Sequence, residues 1–194
     1  MQITEEVKGV LLLAARAAID SLFEESHPLI IDYNCYPLLL EKNIGAFVTL
    51  TANDQLRGCI GFIDSMDQTL IDTVCNASKY AALNDPRFYP LTKEELPEVN
   101  IEISLLSPFT RIKNYEEIQV GVHGLLLKEG SKQGLLLPQV ATENNFTLDQ
   151  FLTAICQKAG VHSYLWKTKK LDIKVFTAIV FSELGKRKRT HEST

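Results

Sequence analysis

The chain contains no paired-cysteine motif, no zinc-ligand spacing and no apolar run that approaches the ~20 residues of a membrane-spanning helix. Its four cysteines, Cys35, Cys59, Cys75 and Cys156, lie far apart without a CxxC pair, the pattern of free thiols in a reducing compartment. The four histidines, His27, His123, His162 and His191, are equally scattered, so no metal site is expected. The first eight residues carry Glu5 and Glu6 and lack the apolar centre of a signal peptide, which points to a cytoplasmic protein. GxGxxG, Walker, GxSxG and HExxH patterns are absent, against a standard nucleotide, esterase or zinc-protease site. Positive charge is not in excess either. Twenty Lys and Arg against 24 Asp and Glu give a net charge of −4, with no overall field to draw nucleic acid or an anionic membrane. The one basic cluster, Lys186-Arg187-Lys188-Arg189, reads as a solvated end. It is the main support for RNA binding, the least favoured of three functional readings, and no RNP aromatic pattern or zinc finger accompanies it.

What is present is enough for a full core. With 194 residues, 45% of them hydrophobic, the chain fits one domain or two tightly joined subdomains. Val7, Val10, Leu11, Ala14, Ala18 and Leu22 recur at helical spacing behind Thr4, predicting a helix over 5–23. Segments 46–51 and 56–63 read as a hairpin around Asn53-Asp54. A second helix is expected from Asp67 to Leu83, stopped by Asn84-Asp85-Pro86. Thr92 and Glu95 form a capping-box pattern for a short helix that Pro97 ends, so Glu95 has a structural explanation before a catalytic one. Ile101, Ile103 and Leu105 mark one face of a strand, and 119–128 with 134–137 read as a hairpin. Thr147 and Gln150 cap a further helix that Gly160 stops, and a last strand covers 173–181. Helices mixed with antiparallel hairpins, without a strand-helix-strand rhythm, indicate an α+β layered fold.

The candidate site is the run Leu56-Arg57-Gly58-Cys59-Ile60-Gly61. In an extended chain side chains alternate, so Arg57 and Cys59 share one face, and a guanidinium that close would favour the thiolate and make the sulfur a better nucleophile or soft ligand. Gly58 and Gly61 weaken a strand and are tolerated where a bulge or a close approach of backbone or ligand requires them. Packing alone competes with this reading, because cysteine is among the most buried residue types, strand glycines often mark only a bulge, and Arg57 could be fixed to a structural carboxylate. Cys75 and Cys156 lie on or beside apolar helix stripes and read as core.

Several segments in order resemble the AMMECR family, also called AmmeMemoRadiSam protein A. They are Gly45-Ala46-Phe47-Val48-Thr49-Leu50, the run from Leu56 to Gly61, Asn84-Asp85-Pro86-Arg87-Phe88 with Pro90-Leu91, Leu96-Pro97, Leu105-Leu106-Ser107, Gly121-Val122-His123-Gly124, Gly134-Leu135-Leu136-Leu137-Pro138-Gln139-Val140-Ala141, and Cys156 with Ala159-Gly160. The resemblance spans residues 5–182, with one departure at Asn144-Asn145-Phe146, where many relatives have a tryptophan-bearing stretch. It implies two lobes with a cleft between them: a larger lobe of 1–44 and 98–194, mainly antiparallel sheet with flanking helices, and a smaller inserted α+β lobe, 45–97, carrying Cys59. It implies no established reaction, substrate or cofactor. Association of relatives with Memo-like and radical SAM proteins implies a shared small-molecule or modification pathway.

Two main hypotheses follow. In the first, Cys59 is a nucleophile or transient carrier, Arg57 supports its sulfur, and His123 acts as acid or base. Asp85 and Arg87 position an anionic or amine-bearing ligand, with Gly58 and Gly61 admitting it. His123 also has a plainer role, a hydrogen bond to its own loop. In the second, the same residues shape a non-catalytic binding or adaptor surface. That surface would tolerate Cys59→Ser and suffer from Arg57→Ala or Arg87→Ala.

Overall fold

A computed structural model describes residues 3–23, 29–63 and 67–183. The chain divides into two compact units, one from residues within 1–105 and 179–194, the other from Leu106–Ala178. The basic cluster 186–189 lies outside the described residues.

The first unit begins with α1, Glu5–Asp20, whose N-cap Thr4 accepts the Val7 N–H at 3.3 Å. Val7, Leu11, Ala14, Ala15, Ala18 and Ile19 form its buried stripe. The helix ends three residues before the expected boundary. Leu22 and Phe23 donate instead to the carbonyls of Ile19 and Asp20, tightening the last turn, and the Ser21 hydroxyl bonds to Ala18 O. Next come β1, Ala46–Ala52, and β2, Gln55–Phe62, joined at Asn53 and Asp54 with φ of 51° and 60°. Two successive left-handed residues make the turn whose twist matches a hairpin, and Asn and Asp tolerate that conformation. Helix α2, Leu70–Leu83, starts at N-cap Thr69. Strand β3, Val99–Leu106, runs antiparallel to β1 on the side away from β2, and β8, Ala178–Ser182, completes the strand order β2-β1-β3-β8. Ala46, Val48 and Leu50 of β1 and Ile101, Ile103 and Leu105 of β3 point into one core with Leu11, Ile19, Leu70 and Val74 of the helices. Arg16 of α1 donates to the carbonyl of Val99 at 2.7 Å and pairs with Glu183, which accepts the Ile101 N–H at 3.0 Å.

The second unit is a sheet of order β4-β7-β5-β6, built from β4, Thr110–Arg111, β5, Gly124–Glu129, β6, Lys132–Leu136, and β7, Ile173–Phe176. Three helices accompany it: α3, Pro138–Glu143, α4, Leu148–Lys158, and α5, Leu165–Thr168. Leu125, Leu127, Ile173 and Val175 of the sheet meet Phe151, Leu152 and Ile155 of α4 in a separate core. The Thr147–Gln150 capping box starts α4, and Gly160, at φ +70°, follows its end in the conformation that favours glycine.

Several boundaries differ from the sequence reading. Residues 119–123 form a turn in which Val122 and His123 both donate to Gln119 O, so the strand starts at Gly124. The single strand expected over 173–181 is two strands in different sheets, because Thr177 leaves the ladder: its N–H bonds to Ser107 Oγ at 2.9 Å and its carbonyl accepts the Ser107 N–H at 2.8 Å. Segment 45–97 shares a sheet with β3 and a core with α1, so the observed crossings fall at Leu105/Leu106 and Ala178/Ile179.

Candidate functional site

The pairing of β1 with β2 decides where the Cys59 motif points. Thr49 faces Cys59 and Leu50 faces Gly58, but Thr51 faces Leu56, so Arg57 is one extra residue in β2. This is a β-bulge, and it breaks the alternation that put Arg57 and Cys59 on one face. Arg57 is directed to Glu95, with Nε donating to Oε1 at 2.6 Å and Nη2 to Oε2 at 2.9 Å. Its Nη1 also donates to Tyr89 O at 3.0 Å. Glu95 accepts the Thr92 N–H at 2.9 Å as the capping pattern foretold, and the Arg57 guanidinium brings its carboxyl down to about 2. Arg57 thus ties β2 to the segment 89–95 instead of flanking the sulfur.

Arg87 takes that place. The Cys59 N–H donates to Asp85 Oδ2 at 2.8 Å, and Arg87 Nη2 reaches Cys59 O at 3.4 Å. Asp85 and Arg87 are themselves joined by two prongs, Nε to Oδ1 at 2.9 Å and Nη2 to Oδ2 at 2.6 Å. Asp85 is buried at 4% exposure, and the Arg87 side chain first, then the Cys59 and Arg87 backbone N–H groups, hold its carboxyl well below the usual range against the opposing effect of burial. Arg87 is held above its ordinary value mainly by Asp85, with Cys59 contributing. The Asn84–Phe88 motif therefore clasps the backbone of the Cys59 motif.

With its backbone polar groups turned outward to this clasp, Cys59 forms a non-hydrogen-bonded pair with Thr49, the pair type whose side chains approach most closely. The Thr49 hydroxyl donates to Cys59 Sγ at 3.4 Å. Thr49 also stands opposite Glu102 of β3, so Cys59, Thr49 and Glu102 form one row across three strands. The next row is Gly61, Phe47 and Ser104. All six lie on the face opposite Val48, Leu50, Ile101 and Ile103.

The glycines serve close packing. A Cβ on Gly58 would collide with the Ala81 carbonyl oxygen of α2, and one on Gly61 with the Phe47 ring. Of the residues expected at the site, Cys59, Asp85 and Arg87 come together, while Arg57 and Gly58 are occupied by Glu95 and α2. His123 belongs to the second unit, where its Nδ1 accepts the Gln119 N–H at 3.1 Å. Among the described residues no three His, Cys, Asp or Glu side chains gather as metal ligands. Burial pushes the Cys75 and Cys156 thiols up, and the Asp32 carboxylate does so for exposed Cys35. Thr49 and Glu102 escaped the sequence reading. Their only signal is strand register, which pairs residues ten and 53 apart from their partners.

Fold and site together define an α+β protein of two cores, in which one cysteine is fixed on the non-core face of a bulged antiparallel sheet. Such a protein need not be an enzyme. The sequence pattern of the AMMECR1 family matches residues 12–181, and this chain belongs to that family. Among relatives, Protein TV1384 of Thermoplasma volcanium is 42% identical over 89% of this chain and 87% of its own length. An Aquifex aeolicus protein is 41% identical over 73% of this chain and 76% of its own. The crystal structure of the uncharacterized protein PH0010 from Pyrococcus horikoshii matches 98% of this chain and 99% of its own, with a TM-score of 0.86 and 33% identity.

Proposed function

We propose that the sheet face bearing Cys59, Thr49 and Glu102 is a small-molecule site in which the Cys59 sulfur contacts or attacks the ligand. One observation carries this reading: the cysteine is held by its backbone at both polar groups, while its sulfur meets the Thr49 hydroxyl and lies beside the Arg87 side chain. Half-exposed Arg87 supplies a cation for an anionic ligand. The family's association with Memo-like and radical SAM proteins supports a role in a pathway whose chemistry is divided among partners, within the cytoplasm.

Limited alkylation with iodoacetamide, read by peptide mass spectrometry, tests the site. In the folded protein Cys59 is expected to label ahead of Cys75 and Cys156, and Thr49→Val to change its rate by about threefold through loss of one hydrogen bond. Labelling of Cys59 only after unfolding would remove the basis for a thiol site.

A further inference from the structure

The second unit holds a cavity of about 310 Å³ between α4 and α5, at the small end of the range for ligand pockets. Ala154 is the small residue in its lining, Asp149 and Gln150 lie on the same helix, and Tyr164, Trp166 and Lys167 face them. Trp166 is a fixed wall. Its indole N–H donates to Thr153 Oγ1 at 3.2 Å, and its ring stands edge-on to Tyr115 with centroids 6.2 Å apart. Gln150 spends its carbonyl oxygen on the Thr147 N–H at 2.8 Å, which leaves its amide NH₂ as a donor.

The charges are less firmly held. Lys167 Nζ lies 5.0 Å from the Trp166 centroid and 5.5 Å from that of Tyr164, and 3.9 Å from the Asp149 carboxylate. At that separation the pair makes no hydrogen bond, and with the side chains 52% and 69% exposed it contributes little to stability. The pocket therefore offers a rigid aromatic wall, room beside Ala154, and one loosely paired charge of each sign. A simple cation would meet Lys167, and a simple anion would meet Asp149.

We propose that this pocket binds a small amphoteric molecule with an aromatic or large apolar body, the chemical class of a free aromatic amino acid. The carboxylate draws Lys167 off the two rings, the ammonium takes Asp149, and the body of the ligand occupies the ring faces so released. This site is independent of the Cys59 row.

Trp166 is the only tryptophan in the chain, so its fluorescence reports on this pocket alone. The full chain is titrated with L-phenylalanine, phenethylamine and 3-phenylpropionate. L-Phenylalanine is expected to give a saturable change, with each single-charge analogue about tenfold weaker. Asp149→Asn and Lys167→Met are each expected to weaken L-phenylalanine about tenfold, and Ala154→Phe to abolish its effect by filling the cavity. The proposal is overturned if L-phenylalanine produces no saturable change up to about 20 mM, or if either analogue binds as tightly as the amino acid.

Discussion

At the scale of single residues, two glycines show how position decides the sign of the same substitution. Gly9 lies inside α1 with nothing within 4 Å of an added Cβ, so Gly9→Ala is expected to stabilise the protein by about 0.5–1 kcal/mol through helix propensity and unfolded-chain entropy. Gly58 packs against the backbone of α2 at Ala81, which cannot rotate away as a side chain can. Gly58→Ala is expected to cost about 1–3 kcal/mol as sheet and helix separate. Urea midpoints of the two variants, measured beside the parent, should move in opposite directions. Gly58 and Gly61 were legible as sites of close approach, but what approaches them is a helix carbonyl and a phenyl ring. The sequence does not distinguish a neighbouring backbone from a ligand, since both ask only for a missing Cβ.

Between elements, the clasp from Asp85 and Arg87 onto β2 makes stability depend on acid. The Asp85 carboxyl titrates well below its unfolded value of about 3.9, so in acid the unfolded chain takes up this proton first. The stabilisation is thus complete at neutral pH and is lost as pH falls below about 4 towards the folded value. Asp85→Asn is expected to lower stability by about 2 kcal/mol at neutral pH and to flatten the decline in acid. Urea unfolding at a series of pH values between about 5 and 2 checks both the loss and the slope. A steep acid decline surviving in Asp85→Asn would assign it to other carboxylates.

The elements themselves were legible where local chemistry sets them. Thr4, Thr147 with Gln150, Asn53-Asp54 and Gly160 act within a few residues of their own positions, and the structure places a cap, a capping box, a hairpin turn and a helix stop there. The shared face of Arg57 and Cys59 is lost because a bulge depends on the partner strand: period-two alternation holds only while the ladder is regular, whereas the other reading, Arg57 on a structural carboxylate, is met by Glu95. Thr49 and Glu102 were invisible for the same reason. The four-residue α5 has no periodicity to detect, and Thr177 splits a continuous β-favouring run through a bond to Ser107, 70 residues away.

At the scale of the whole molecule, two cores divide the apolar residues between them, each closed by helices on a four-stranded sheet. Ile103 and Ile155 are both fully buried, one in each. Either change to Ala is expected to cost about 2–5 kcal/mol. Amide hydrogen exchange should show Ile103→Ala lowering protection in β1, β3 and α2, and Ile155→Ala doing so in α4, β5 and β6. Identical losses throughout the chain from either variant would show one cooperative unit instead.

Strand β2 stands at an end of the order β2-β1-β3-β8, where exposed N–H and C=O groups invite a strand from another molecule. At Cys59 those groups are taken by a carboxylate and a guanidinium, which imitate one residue of a further strand without being able to continue it. The bulge at Arg57 interrupts the edge just before that point, and Arg57 is anchored to the carbonyl of Tyr89. The same residues that fix the cysteine therefore guard the border of the sheet, and a variant that freed the sulfur by loosening them would also expose a surface prone to self-association.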